Sequence, residues 1–114
     1  MHDLTYANRI LDRLKKEAGK KEKSALVTIE VYLSPLSHVT PRRLKDVFGL
    51  LLKGEGFNNV VLNVNVSEIS AHCRKCGKTW KSRKPTFECP KCKNSYFELD
   101  HWEEFYIESI KFEK

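Results

Sequence analysis

The apolar positions of this chain fall into a few periodic runs, each bounded by residues that break them. From Met1 to Ala18, Leu4, Ala7, Leu11, Leu14 and Ala18 recur at steps of three and four, which sets them on one helical face. Asp3 is placed to cap the start, and Gly19 suits the left-handed position after the last turn. Lys20 to Lys23 make a polar turn. Ala25 to Leu33 then switches to a period of two: Val27, Ile29, Val31 and Leu33 lie on one side, with Thr28, Glu30 and Tyr32 on the other. So many β-branched residues in alternation predict a strand with one covered face, ended by Ser34-Pro35.

Thr40-Pro41 opens a second helix, with the threonine as cap and the proline where its missing N–H costs nothing. Leu44, Val47, Phe48, Leu51 and Leu52 form its stripe, and Gly54 and Gly56 close it. A second strand runs from Val60 to Val66, with Val60, Leu62, Val64 and Val66 opposite Asn63 and Asn65. A third, Phe105 to Phe112, is aromatic and β-branched but alternates less cleanly. The expectation is an α+β fold, two helices on a three-stranded sheet, with a cysteine-bearing ribbon inserted before the last strand. Residues 1–68 plus 102–114 would form the α+β domain and residues 69–101 the ribbon.

The ribbon carries all four cysteines of the 114-residue chain, Cys73 and Cys76, then Cys89 and Cys92, with two residues inside each pair and twelve between pairs. Two such knuckles facing each other make a tetrahedron of sulfurs, which suits a structural Zn²⁺ with no open coordination position. Disulfides are the competing reading, but the sequence shows no secretory signal, and a lysine-rich chain of intracellular character favours metal. Gly77 relaxes the first knuckle; Lys93 holds the equivalent place in the second, which should be less relaxed. Trp80, Phe87, Tyr96 and Phe97 read as packing around the metal loops. Zinc in a closed site supplies folding free energy to a segment too small for a core of its own, and does no chemistry there.

Charge adds a second possibility. Between Cys73 and Lys93 eight basic residues face one acid, Glu88, a formal +7 that leaves the rest of the chain at −1. A basic ribbon with Trp80 nearby supports an alternative reading as a zinc-ribbon nucleic-acid-binding accessory protein. The simpler reading is that these lysines solvate a small surface. No apolar run approaches the roughly 20 residues that span a bilayer, and no signal peptide is visible, so the expected location is the cytoplasm, without membrane attachment.

His2 brings different chemistry. Methionine aminopeptidase spares Met1 when the second residue is large, so a free α-amine is expected beside His2. That amine, the deprotonated amide nitrogen of His2 and its imidazole Nδ1 can close adjacent chelate rings around one ion, with the amide of Asp3 or a further donor in the fourth place. An in-plane nitrogen set selects Ni²⁺ or Cu²⁺ over Zn²⁺.

Taken in order, Met1-His2-Asp3, an amphipathic helix, a Val-rich strand, Leu36-Ser37-His38-Val39 before a Pro-started helix ending Phe48-Gly49-Leu50-Leu51, Cys73-x-x-Cys76-Gly77, Cys89-Pro90-x-Cys92 and Glu104-Phe105-Tyr106-Ile107-Glu108-Ser109-Ile110 follow one another. This order resembles the HypA family of nickel metallochaperones of [NiFe]-hydrogenase maturation, over essentially the whole chain. The resemblance implies that His2 and the backbone nitrogens around it receive Ni(II). It implies structural zinc on Cys73, Cys76, Cys89 and Cys92, a HypB-type GTPase as partner, and the hydrogenase large subunit or its maturation complex as recipient, with urease served by some members. Asp3 stands where the family usually has glutamate, and Ser34-Pro35-Leu36 where it usually has Gly-Glu-Leu. The linker between cysteine pairs is short and has no histidine, so the additional ligand of some archaeal relatives has no counterpart there.

Three histidines remain. His38 and His101 read as surface residues, either able to offer an apical donor to nickel, and His72 adjoins Cys73, where a rearranged site could exchange it for a thiolate. No Ser-His-Asp set, phosphate-binding glycine loop or carboxylate pair suggests catalysis, so the expectation is a binding protein and not an enzyme.

Overall fold

A computed structural model describes residues 2–19, 26–84, 88–93, 97–101 and 103–113. The predicted turn at Lys20 to Lys23 and the packing roles of Phe87 and Tyr96 lie outside these residues. The elements are α1 (His2–Ala18), β1 (Leu26–Leu33), α2 (Pro41–Leu52), β2 (Asn59–Val66), β3 (Ile69–Cys73), β4 (Thr79–Ser82), β5 (Phe97–His101) and β6 (Phe105–Glu113). They form two three-stranded sheets, in the orders β2-β1-β6 and β4-β3-β5. The α+β architecture of two helices, a three-stranded sheet and a four-cysteine ribbon is the one the sequence predicts.

β1 is the centre of the first sheet because its inward residues have no exposed surface to give up: Val27, Ile29 and Val31 are 0% exposed and Leu33 1%. It pairs parallel with β2 and antiparallel with β6. A parallel neighbour requires a crossover, and α2 supplies it. Thr40 caps α2 as expected, its side chain accepting from Arg43 N, with Pro41 in the first turn. Leu44 and Phe48 reach the core, and Val47, Leu51 and Leu52 pack at its edge.

Two readings of the sequence change in detail. On α1, Leu4 is 41% exposed, whereas Tyr6, Ala7, Ile10, Leu11, Leu14 and Ala18 are buried. The buried arc is turned toward Tyr6 because Phe105 offers it a ring, the two stacking at 4.4 Å and 9°. On β6, the register against β1 shifts between Glu30 and Val31, whose partners are Ser109 and Ile107. Glu108 is the extra residue of this bulge, which is why the hydrophobic alternation of β6 breaks.

The second sheet grows directly out of the first: β2 runs into β3 through Ser67-Glu68, and β5 returns to β6. Ser67 N donates to Leu33 O (2.8 Å) and Ser34 N to Glu104 O (2.9 Å), fixing both crossings to the end of β1. The core cluster draws on α1, β1, α2, β2 and β6, while buried Ile69, Ala71, Cys73 and Cys89 stand outside it. The chain is long for its size, with a radius of gyration of 17.6 Å, against about 13 Å for a compact domain of similar length.

Candidate metal centres

The cysteine centre is built by two matching knuckles. Cys73 ends β3, and the chain turns so that Gly77 N donates to Cys73 O at 3.0 Å; in the second knuckle Lys93 N donates to Cys89 O at 2.9 Å. Both turns place their fifth residue in the left-handed region, Gly77 at φ 77° and Lys93 at φ 60°. Lys93 therefore takes a conformation that its Cβ disfavours, as its place in the sequence suggested.

These turns gather the four Sγ atoms to within 4.8 Å of one another. Cys73 and Cys92 sulfurs are 3.6 Å apart, and Cys76 and Cys89 sulfurs 3.7 Å. A tetrahedron of thiolates at a Zn–S distance of about 2.3 Å has sulfur–sulfur edges of about 3.8 Å. A disulfide needs about 2.05 Å, and all four cysteines are free. The geometry fits a tetrahedral thiolate-binding ion.

Backbone amides prepare the sulfurs for that role. Cys76 N and Lys75 N point at Cys73 Sγ, each at 3.4 Å. The Cys76 amide foremost, with that of Lys75, pulls the Cys73 thiol down to about 6. At Cys89 burial pushes the thiol up, but the amides of Cys92 and Lys91 outweigh it and the net direction is down. Thiolate is the form that binds metal.

His72 does not share this point. Successive strand residues face opposite ways, and while Cys73 turns to the sulfur cluster, His72 Nδ1 meets Asp100 Oδ1 at 2.5 Å and its Nε2 lies 3.4 Å from Glu98 Oε2. Exchange of this imidazole for a thiolate would require the strand to reverse its faces. Trp80 packs against Phe97, ring centroids 5.7 Å apart, as packing residues do.

The other set of candidate ligands lies on the α+β side. Met1 is outside the described residues. His2 is exposed and begins α1. The first four N–H groups of a helix have no intrahelical partner, so the amide nitrogens of His2 and Asp3 are not engaged in the helix ladder. Asp3 is held on both carboxylate oxygens: Oδ1 accepts from Leu4 N at 2.9 Å and Oδ2 from Arg43 Nε at 2.7 Å. The Arg43 guanidinium, then the Leu4 amide, holds this carboxyl below its usual range.

His2 and Asp3 form one wall of a shallow depression of about 490 Å³ whose other wall is His38, Val39, Thr40 and Arg43. The structure thus brings His38 beside His2 and Asp3 and leaves the other two histidines elsewhere: His72 on β3, and His101 on β5 opposite Ser70, its side chain outside what is described. Nothing in the local sequence of Arg43 or His38 signals this meeting, because it depends on how α1 packs against α2. No helix among the described residues is long and apolar enough to cross a membrane.

Residues 1–112 match the family model described as hydrogenase/urease nickel incorporation, metallochaperone, HypA. Among curated proteins, the hydrogenase maturation factor HypA of Methanocaldococcus jannaschii is 31% identical over 121 residues, covering 99% of this chain and 98% of that one. That of Caldanaerobacter subterraneus subsp. tengcongensis is 27% identical over 114 residues, covering 99% and 100%. The solution structure of the nickel metallochaperone HypA from Helicobacter pylori has the same fold, with a TM-score of 0.58 at 13% identity over 97% of each chain. A second solution structure of a HypA protein gives 0.61 at 17% identity, over 98% of this chain and 96% of that one.

Proposed function

This chain belongs to the HypA family of metallochaperones for nickel incorporation into hydrogenase and urease, and from that premise we propose that it receives Ni(II) at Met1, His2 and Asp3 and delivers it during [NiFe]-hydrogenase maturation. It is a metal carrier and not a catalyst. The observation that supports the N-terminal site is the position of His2 as the first residue of α1. Its amide can lose a proton to an ion without breaking a helical hydrogen bond. A cation meets the positive end of the helix dipole there, and an amidate supplies a compensating negative charge. The amine of Met1 and the Nδ1 of His2 then flank that amidate, a nitrogen-rich plane that suits Ni²⁺.

Zinc on Cys73, Cys76, Cys89 and Cys92 holds the ribbon of residues 69–101 together as a body separate from the nickel-binding part. The thiolate-favouring amides and sulfur spacing support that ion over a redox pair. The sequence carries no phosphate-binding glycine loop, so a HypB-type GTPase is the partner that would drive release, with the hydrogenase large subunit or its maturation complex as recipient. The nucleic-acid reading of the ribbon is not retained, since the family match runs over residues 1–112 and Trp80 packs against Phe97.

The direct test is a Ni²⁺ titration of the zinc-loaded protein beside His2→Ala. One tight site in the first and its near-complete loss in the second are expected. Equal binding by both would remove the N-terminal site.

A further inference from the structure

The tridentate set at the chain start leaves one in-plane position that it cannot fill for itself. The His2 amide nitrogen has the Met1 amine on one side and its own imidazole on the other, each held cis by a chelate ring. The Asp3 amide is joined to the His2 amide by another five-membered ring, so it too can stand only cis: Asp3 takes part in the Met1-His2-Asp3 site by displacing the imidazole, and cannot fill the fourth place beside it. The position trans to the His2 amide must be filled from outside the opening backbone.

The depression beside His2 offers few groups for it. The carboxylate of Asp3 is occupied on both oxygens, by Leu4 N and Arg43 Nε. Thr40 Oγ1 accepts from Arg43 N as the cap of α2, Val39 has no donor, and Arg43 is a cation. His38 remains: exposed, with no hydrogen bond or ion pair of its imidazole among the described residues.

His38 is also held for the purpose. Its loop is fastened on both sides, by Ser34 N to Glu104 O (2.9 Å) and Ser37 N to Ser34 O (3.0 Å) before it. After it, Val39 N donates to Ser37 Oγ at 3.1 Å and the Val39 side chain is buried. The backbone is thereby fixed while the ring projects into the depression. His2 and His38 are both exposed and line the same depression. Exposed rings reorient in picoseconds to nanoseconds, so an ion seized by His2 can be met by the second ring.

We propose that His38 is a nickel ligand, completing with a second imidazole the plane that Met1 and His2 begin. This rests on the N-terminal site proposed above. Nickel K-edge absorption spectra and chelator-competition affinities of the zinc-loaded full chain test it, for the natural sequence, His2→Ala, His38→Ala and His38→Gln. We expect two imidazoles per nickel in the natural sequence and one in both His38 variants. Affinity should fall by at least about tenfold in each, with the thermal transition unmoved. An unchanged imidazole count and affinity in the His38 variants, alongside nickel loss in His2→Ala, would overturn this inference and leave the N-terminal site standing. Full binding by His2→Ala would overturn the site itself.

Discussion

Asp3 Oδ2 accepts a 2.7 Å hydrogen bond from Arg43 Nε across forty residues of sequence, joining the first turn of α1 to the first turn of α2. The pair is lopsided: Asp3 is largely covered at 13% side-chain exposure, while Arg43 stands 64% exposed. Such a bond does little for overall stability and much for the placement of one end of a helix, because exposed ion pairs are screened and cost side-chain freedom. Its consequence is local. It fixes the residue next to His2 beside the depression that His38 also lines.

Arg43→Ala is therefore expected to leave the thermal unfolding midpoint nearly unchanged and to weaken Ni²⁺ binding severalfold. Affinity of the natural chain should also fall as salt rises, and that dependence should diminish in the variant. A large drop in unfolding midpoint with nickel affinity intact would show that Arg43 braces the fold and does not position the terminus.

Removing zinc with a strong chelator should collapse β3, β4 and β5 while the packed residues of β1 and the helices keep their native state. The ribbon's own buried set is small, whereas Ile29, Leu33 and Leu44 belong to the other cluster. Structural zinc contributes on the order of 10–16 kcal/mol to small metal-held units, far above what the few buried ribbon side chains replace. Amide NMR signals resolve the two regions. Loss of both together on chelation would mean that the sheets fold as one unit.

Gly77 and Lys93 provide an internal comparison, since both occupy the left-handed turn of a cysteine knuckle. Gly77→Ala should cost about 1–2 kcal/mol and Lys93→Gly should relieve a similar strain, although the added glycine raises unfolded-state entropy and offsets part of the gain. The rate of zinc release to a chelator reads both changes: faster in the first, slower in the second. Equal rates would indicate that the knuckles are not strained at these positions.

Glu30 gives the expected pH dependence on the open face of the sheet. Its carboxylate accepts from Asn63 Nδ2 and from Asn65 Nδ2, and these two bonds hold its pKa below the ordinary value. A depressed folded-state pKa adds stability that is present above the unfolded value and is lost as pH falls through the folded one. Unfolding by denaturant should thus weaken more steeply in the acid range for the natural chain than for Glu30→Gln. Parallel curves for the two would refute this role for Glu30.

The parts of the molecule that local pattern dictates were legible from residue order. Val27 to Leu33 alternate because one face of β1 is wholly covered, and Thr40-Pro41 marks α2 because capping is a short-range interaction. The four-cysteine cluster is legible for the same reason, since each knuckle closes within five residues. Strands β3, β4 and β5 leave little signal in residue order, being four or five residues long and built around the cysteine knuckles more than on apolar alternation. Leu4 shares the helical period of the buried residues, and only the position of Phe105 shows that Tyr6 is covered in its place. The meeting of His2, His38 and Arg43 is a product of helix packing, and no window of sequence contains it.

The most direct measurement is Ni²⁺ binding by the untagged chain beginning at Met1, set beside the same chain with one residue added before Met1. The added residue converts the α-amine into an amide and removes one donor while leaving every side chain in place. We expect tight binding of about one Ni²⁺ per chain in the first and a marked loss in the second, with zinc retained by both. Equal nickel affinity in the two would contradict a site built on the chain terminus.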